Sequence, residues 1–221
     1  MKVTQVEPQK KNPNRFNIFL DGKFAFGVDA DLVVNRRLTV GKEIDPADLD
    51  KILIEAEVGK LMDRIYGLLS IRARSEKEIR DYLKTASFKR KLKGDEPISE
   101  MVSEAVIERA IQKRLINDLE FAKAWAESRS KTRGWQRVKQ ELFQKGIGRE
   151  IVDELNDSNH FREDEQKTAE RLLEKKNRLW SSLPAIEFRK KATDYLMRKG
   201  FEYSVAASVI DCYLKKDQKI D

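Results

Sequence analysis

The beginning of the chain alternates apolar and polar residues, as a β-strand with one buried face does. Two such runs cover residues 16–20 and 24–28, and Asp21-Gly22 lies between them. Asp-Gly between alternating runs is a strong signal for a tight β-hairpin. Residues 3–6 (VTQV) are a candidate third strand. We therefore expect residues 1–44 to form a small β element that caps the rest of the molecule.

After this region the apolar residues recur every three or four positions, which is the spacing of amphipathic helices. Asp45 suits an N-cap, and Pro46 suits the first helical turn. The sequence predicts a connecting helix over 45–61, with helical spacing continuing to about residue 70.

A repeat then organises the remaining chain. The segment 142–147 (LFQKGI) recurs 54 residues later as 196–201 (LMRKGF). Repeats of this period indicate stacked supersecondary units. The expected fold is mainly α, with three tandem three-helix units in an elongated array behind a small N-terminal β-hairpin element. The predicted units cover 62–116, 117–157 and 163–215.

Local signals mark the ends of helices within these units. Ser75 and Asp118 are expected N-caps, and Gly146 and Gly200 are expected at positive φ where helices end. The first unit carries an insertion over 87–97, rich in Lys and Arg and closed by Gly and Pro. It is expected to be an exposed, mobile and protease-sensitive loop.

Composition limits the class of protein. The chain is 40% hydrophobic and 38% charged, enough apolar material for helices with one buried stripe. The N-terminus lacks the apolar run of a signal peptide, and no segment is long enough to span a membrane. The single cysteine, Cys212, is expected to be buried and inert. These features favour a cytoplasmic protein.

Positive charge is concentrated in three blocks that coincide with the repeats. Residues 72–93 carry nine Lys or Arg against three acids, residues 109–149 eleven against four, and residues 175–199 eight against two. Any one block is typical of a solvated helix surface. Three blocks in register with a repeat also fit a basic stripe that faces a polyanion.

Residues suited to catalysis are scarce. His160 is the only histidine and lies in a polar stretch, so a zinc site with Cys212 or a catalytic triad is disfavoured. No phosphate-cradling glycine motif occurs. The acids 163–165 suit the start of a helix, where they favour the dipole. The sequence predicts no enzyme activity, metal, cofactor or small-molecule substrate.

The segment 130–139 (SKTRGWQRVK) is the most promising for binding, because it places four cations around one helix start. Backbone amides at a helix start favour an anion, and arginines add bidentate contacts. Trp135 would either stack on a base or pack in the core, and the core is favoured. Phe121 and Trp125 have the spacing of core residues.

These motifs, taken together, resemble the RecX family of regulatory proteins. The similarity rests on residues 71–83 (IRARSEKEIRDYL), 115–122 (LINDLEFA), 128–134 (SRSKTRG) and 141–147 (ELFQKGI), in that order. It extends over about 60–215. The N-terminal segment FAFGV is similar to the extension of longer family members.

The resemblance implies a modular array of three-helix repeats that binds the RecA recombinase, chiefly on its single-stranded-DNA filament. It implies inhibition of ATP hydrolysis and strand exchange, with altered filament growth. The chain departs from the family pattern in the first unit, which lacks the usual Lys-Gly turn after Leu83 and carries the insertion.

Two functional hypotheses follow. The first is a regulator that binds RecA and its filament, with single- or double-stranded DNA as a possible further contact. The alternative is a non-enzymatic nucleic-acid-binding protein whose basic stripe contacts phosphates without a recombinase partner. Both use the same candidate contact residues, which are Arg72, Arg74, Lys131, Arg133, Arg137, Lys139, Lys145, Arg149, Lys190, Lys191, Arg198 and Lys199.

Overall fold

The structure is a computed structural model of the 221-residue chain. It describes residues 1–10, 12–157, 160–180 and 182–217. In these ranges the chain forms ten helices and one three-stranded sheet, which confirms a mainly helical fold behind a small β element. None of the helices within those ranges combines the length and apolar character that crossing a membrane requires. The chain divides into two compact units, Met1–Ile116 and Asn117–Asp221.

The first unit begins with an antiparallel sheet in the order β1-β2-β3. Its strands are β1 (Val3–Gln9), β2 (Asn12–Leu20) and β3 (Lys23–Asp29). Asp21 and Gly22 have φ of 48° and 80°, as a hairpin turn with two left-handed residues requires. The predicted hairpin and its third strand are both confirmed.

Two helices follow the sheet, the short α1 (Ala30–Asn35) and the long α2 (Pro46–Leu69). The Asp45 carboxylate accepts a hydrogen bond of 2.8 Å from the amide of Asp48 and so caps the start of α2. The N-cap and the proline in the first turn are where the sequence predicted them.

The long helix α2 belongs to two hydrophobic cores. Ile52 and Ala56, in its first half, pack in the core beneath the sheet. Leu61 and Ile65, in its second half, pack in the core of the next two helices. The predicted boundary between residues 61 and 62 therefore lies inside one continuous helix.

The next two helices are α3 (Glu76–Leu92) and α4 (Glu100–Gln112). Ser75 accepts a hydrogen bond of 3.3 Å from the amide of Glu78, so the predicted N-cap is confirmed. The prediction that 87–97 is a loop is wrong for its first half, because α3 continues to residue 92. The inserted residues are good helix formers, and basic residues in a last turn favour the helix dipole.

The insertion lengthens a helix without changing how that helix ends. Eleven positions separate Leu83 from Gly94, whereas four separate Leu142 from Gly146. The seven additional residues make about two turns at 3.6 residues per turn. The Lys-Gly turn that the first unit was expected to lack is present as Lys93-Gly94, two turns later than in the other units.

The second unit contains the remaining helices. They are α5 (Asp118–Ser130), α6 (Trp135–Gln144), α7 (Arg149–Asp157), α8 (His160–Trp180), α9 (Ala185–Lys199) and α10 (Tyr203–Asp217). The predicted N-cap of α5 is one residue too late: Asn117, not Asp118, accepts the hydrogen bond of 3.1 Å from the amide of Glu120. Asp118 is instead the first helical residue, where its charge favours the dipole.

The sequence repeat corresponds to a repeated helix end. Gly146 and Gly200 have φ of 82° and 89°, which confirms the predicted left-handed conformation. After Gly146, the amide of Ile147 donates to the carbonyl of Leu142, five residues back, at 3.0 Å. The equivalent bond after Gly200 is 3.1 Å long. This hydrogen bond is the signature of the Schellman motif.

One prediction about the last helix is wrong. Cys212 is exposed, not buried. The apolar stripe of α10 runs through Val209 and Ile210 and continues at Tyr213. Cys212 therefore lies beside this stripe instead of on it.

Candidate functional site

Three arginines converge on one carboxylate at the junction of α5 and α6. Glu141 Oε1 lies 3.2 Å from Arg133 Nη1 and 3.6 Å from Arg137 Nε, and Oε2 lies 3.3 Å from Arg129 Nε. Trp125 Nε1 donates a hydrogen bond of 3.2 Å to the same carboxylate. The Glu141 side chain is only 12% exposed, so the cluster is anchored at its centre.

The local sequence explains why these side chains meet. Arg137 and Glu141 are one helical turn apart on α6, and Arg129 lies in the last turn of α5. Arg133 comes from the short loop between the two helices. Three guanidinium groups share one carboxylate, so two positive charges remain in excess at this surface.

The tryptophans near this cluster are not open to a stacking partner. Trp135 is buried, which confirms the prediction that it packs in the core. The Trp125 ring stacks on Phe121 at 5.7 Å, and two cations, Arg129 Cζ at 4.5 Å and Lys145 Nζ at 4.9 Å, lie over it. These cation–π contacts fix Lys145 beside the arginine cluster.

The expected anion site at the start of α6 is wrong, because internal groups already bind its amides. The amide of Trp135 donates to Glu165 Oε1 on α8 at 2.8 Å, and this bond is buried. The amide of Gln136 donates to the carbonyl of Gly200 at 3.1 Å. The positive end of this helix is thus neutralised from within the second unit.

A second cluster lies between α6 and α7. Lys139 Nζ and Arg149 Nε lie 3.6 Å and 3.5 Å from the two oxygens of Asp153. Arg149 is 85% exposed, so this pairing leaves most of its surface in water. Lys131 is also exposed and forms no ion pair with any residue that the structure describes.

The candidates on α9 are the least constrained. Lys190, Lys191 and Arg198 are exposed and form no ion pair within the described part of the chain. Lys199 Nζ lies 5.8 Å from the centre of the Tyr195 ring, and burial raises the pKa of Tyr195.

A small cavity is lined by residues of both the second and the third predicted repeat. It has a volume of about 360 Å³ and is lined by Arg137 from α6 and by Arg198 from α9. Phe201 closes it from below as a buried core residue. One arginine of the Glu141 cluster and one cation of α9 therefore border the same opening.

The remaining two candidates lie in the first unit. Arg72 forms two hydrogen bonds of 2.9 Å with Glu78, and this pairing raises the pKa of Arg72. Arg74 is half-buried, and its Nε finds no hydrogen-bond partner among the described residues. Whether these two share one basic stripe with the ten candidates of the second unit stays a prediction.

Comparison with known proteins places the chain in a family. Three family models match it: "Regulatory protein RecX N-terminal domain" over 1–45, "RecX, second three-helix domain" over 117–155, and "RecX, third three-helix domain" over 163–210. A curated relative from Bacillus velezensis, named Regulatory protein RecX, is 37% identical over 214 residues. The alignment covers 95% of this chain and 76% of the relative. The chain belongs to the RecX family.

Other RecX proteins agree with this placement. Regulatory protein RecX of Bacillus subtilis is 37% identical over 211 residues, which cover 95% of this chain and 76% of that protein. A crystal structure of regulatory protein RecX matches with a TM-score of 0.75 and 29% identity, covering 95% of this chain and 98% of that one. RecX from Lactobacillus salivarius shares the fold, with a TM-score of 0.60, 23% identity and coverage of 70% and 94%.

Sequence reasoning missed two members of the arginine cluster, namely Arg129 and Glu141 itself. The signal that could have found them is spacing, because Arg129, Arg133, Arg137 and Glu141 recur every four residues. Within the described ranges, no group of three or more His, Cys, Asp or Glu residues is arranged to hold a metal ion.

Proposed function

We propose that this RecX-family chain binds the RecA recombinase and its single-stranded-DNA filament in the cytoplasm. There it inhibits ATP hydrolysis, strand exchange and filament extension. The observation that carries the proposal is the arginine cluster around Glu141, a rigid surface with excess positive charge. In this role the chain acts by binding, without a cofactor or a small-molecule substrate.

The cluster has unused capacity for an anionic partner. Each guanidinium carries about five N–H donors, and one carboxylate offers about four lone-pair sites. Glu141 therefore uses only a minority of the donors of Arg129, Arg133 and Arg137, and we infer that the others bind phosphates or acidic side chains. Because Glu141 already holds them in place, less side-chain entropy is lost on binding.

We propose that the exposed cations on α9 extend this surface. Lys190 and Lys191 lie on α9, and Arg198 borders the same cavity as Arg137. Several weak contacts along one repeating partner reinforce each other through effective concentration. A filament, which repeats both its protein surface and its phosphates, is such a partner.

The test measures RecA ATP hydrolysis on single-stranded DNA as the protein is added. Arg133→Gln, Arg137→Gln and Lys139→Gln are combined in one variant. Neutral glutamine is preferable to charge reversal, because new carboxylates would repel Glu141 and Asp153 in the folded state. The matched control, Lys2→Gln with Lys23→Gln and Lys51→Gln, removes the same charge from exposed positions outside the basic blocks.

The cluster variant should need at least tenfold more protein for half-inhibition, since a charged contact contributes about 1 kcal/mol or more. The control variant should inhibit like the parent, and circular dichroism should show both folded. Equal inhibition by the cluster variant and the parent would remove these residues from the site. If the parent itself does not inhibit, the proposed function is wrong.

A pull-down separates this function from simple nucleic-acid binding. RecA should retain the chain without DNA, and the affinity for the filament should fall less steeply with salt than phosphate contacts alone require. Retention only when DNA is present, with a steep salt dependence, would favour the non-enzymatic nucleic-acid-binding alternative.

A further inference from the structure

The first compact unit contains an open groove of about 790 Å³ between β3, α2 and the C-terminal half of α3. Its floor is apolar. Phe26 and Ala56 are buried there, while Phe24 and Leu53 remain 59% and 40% exposed. Large apolar side chains that stay in water around a groove are a typical sign of an interaction site.

The groove forms because α3 extends beyond the hydrophobic core in which its first half packs. Its buried residues, Ile79 and Leu83, both lie in its first half. The following stretch, 84–92, has no buried side chain. An ion pair between Arg90 and Glu57 ties this stretch to α2. The extension of α3 thus forms one wall of a groove that no residue within the described ranges fills.

The walls of the groove carry unpaired positive charge. Lys60 and Arg64 on α2, with Lys89 and Lys93 at the end of α3, are exposed and form no ion pair among the residues described. Fewer acids than cations line the groove. Glu57 is already neutralised by Arg90, and the other two acids, Asp95 and Glu96, lie at one end. The groove therefore combines an apolar floor with a basic rim.

We propose that this groove binds an acidic segment of another protein, a short stretch of Asp and Glu residues with one or two bulky apolar side chains. The apolar side chains would pack on Leu53 and Phe24, and the acids would face the basic rim. Burial of apolar surface gives such a contact its affinity, and charge complementarity its specificity.

A polypeptide fits these features better than a nucleic acid. Single strands bind through aromatic faces that stack on bases along a continuous basic path. Here the groove offers one well-exposed aromatic ring, Phe24, because Phe26 is buried and Tyr82 is half-buried. Asp95 and Glu96 at one end of the groove would also repel a phosphate backbone. The site uses different residues and a different compact unit from the arginine cluster, so it goes beyond the proposed function.

The test is a direct binding assay on the intact chain. The probe is a short fluorescein-labelled peptide that alternates Glu-Glu with Leu or Phe, and its binding is followed by fluorescence anisotropy. Two comparison peptides replace the apolar residues by Ser or the acids by Lys. Unlabelled oligothymidylate serves as a competitor. The acidic apolar peptide should bind at least tenfold more tightly than either comparison peptide, and oligothymidylate should not displace it.

Two variants locate the site. Leu53→Glu places a charge on the floor, and Lys89→Glu with Lys93→Glu reverses the rim at exposed positions where folding is tolerant. Each should weaken binding at least tenfold. The matched controls are Ile186→Glu, at a more exposed apolar position, and Lys167→Glu with Lys215→Glu, at exposed positions outside the candidate contact residues. Both lie in the other unit and should bind like the parent.

Hydrogen exchange supplies an independent measurement. The bound peptide should slow amide exchange in 84–92, which lacks buried side chains, and leave exchange in α9 unchanged. The proposal is overturned if the parent does not bind the acidic apolar peptide, if both groove variants bind it normally, or if oligothymidylate displaces it. None of these results depends on RecA, so they do not bear on the proposed regulatory function.

Discussion

Gly200 should tolerate no side chain, because two separate constraints meet at this residue. Its φ of 89° is a conformation that L-residues rarely adopt. A Cβ on Gly200 would also lie 2.6 Å from the amide nitrogen and 3.0 Å from the Cα of Arg137. Both obstacles are backbone atoms of α6, which cannot rotate away as a side chain can. We predict that Gly200→Ala destabilises the second unit strongly.

Substitutions at two other glycines separate the cost of the left-handed backbone from the cost of the steric overlap. Gly134 has an ordinary negative φ, but its Cβ would meet the carbonyl of Gly200 at less than 3.0 Å. Gly148 has neither constraint, since nothing lies within 4 Å of its Cβ position. A left-handed alanine costs about 1–2 kcal/mol, and overpacking costs about 1–3 kcal/mol. Gly134→Ala should therefore lose about 1–3 kcal/mol and Gly200→Ala about 2–5 kcal/mol. Gly148→Ala should stay within about 0.5 kcal/mol of the parent.

Urea denaturation followed by tryptophan fluorescence measures these differences in the second unit. All three tryptophans, Trp125, Trp135 and Trp180, lie in that unit, so unfolding of the first unit does not obscure the signal. If the unfolding free energy of Gly200→Ala equals that of Gly148→Ala, neither the left-handed conformation of Gly200 nor its close contact with α6 is formed in solution. If Gly134→Ala alone is neutral, only the backbone constraint at Gly200 is real.

Three further outcomes are expected. Gly146→Val should lower the unfolding free energy by about 1 kcal/mol or more in the same assay, because a β-branched residue is poorly tolerated at its φ of 82°; an unchanged melting curve would contradict this. The hydrogen bond from Arg36 lowers the pKa of Glu55 below 4.5. The contact between Arg36 and Glu55 therefore stabilises the folded chain above pH 4.5, and this stabilisation is lost as the pH falls through the lowered pKa. Circular dichroism melts should show this loss for the parent and a weaker pH dependence for Glu55→Gln. Limited trypsin digestion should cut first near Lys93, after the last turn of α3, before any cut within 118–155; early cuts in that range would contradict the exposure of the α3 end.

Local signals in the sequence were enough to predict the elements that local physics dictates. The turn at Asp21-Gly22 requires left-handed residues, and the sequence shows them directly. The N-caps Asp45 and Ser75 act on amides three residues away, so their role needs no tertiary contact. The positive φ of the glycine at each repeated helix end was likewise predicted from local sequence alone.

Other features of the site depended on residues far apart in the chain. Arg133 and Arg137 read as free cations in the sequence, but folding places them on Glu141 together with Arg129. The start of α6 reads as an open anion site, yet Glu165, thirty residues later, occupies its first amide. A sequence pattern records which groups are charged and leaves open which groups neutralise them.

The sequence by itself therefore determined the hairpin, the N-caps Asp45 and Ser75, the glycine at each repeated helix end and the family. The structural features follow from hydrophobic spacing, capping and backbone freedom, which act over a few residues, and the family follows from the resemblance of the motifs. Residues 87–92 are good helix formers, so their helical state follows from local propensity even though a loop was predicted there. Only the tertiary structure decided that Cys212 faces solvent and that three arginines share one carboxylate. Each of these depends on which distant surface a side chain meets, and packing chooses that surface after the local elements have formed.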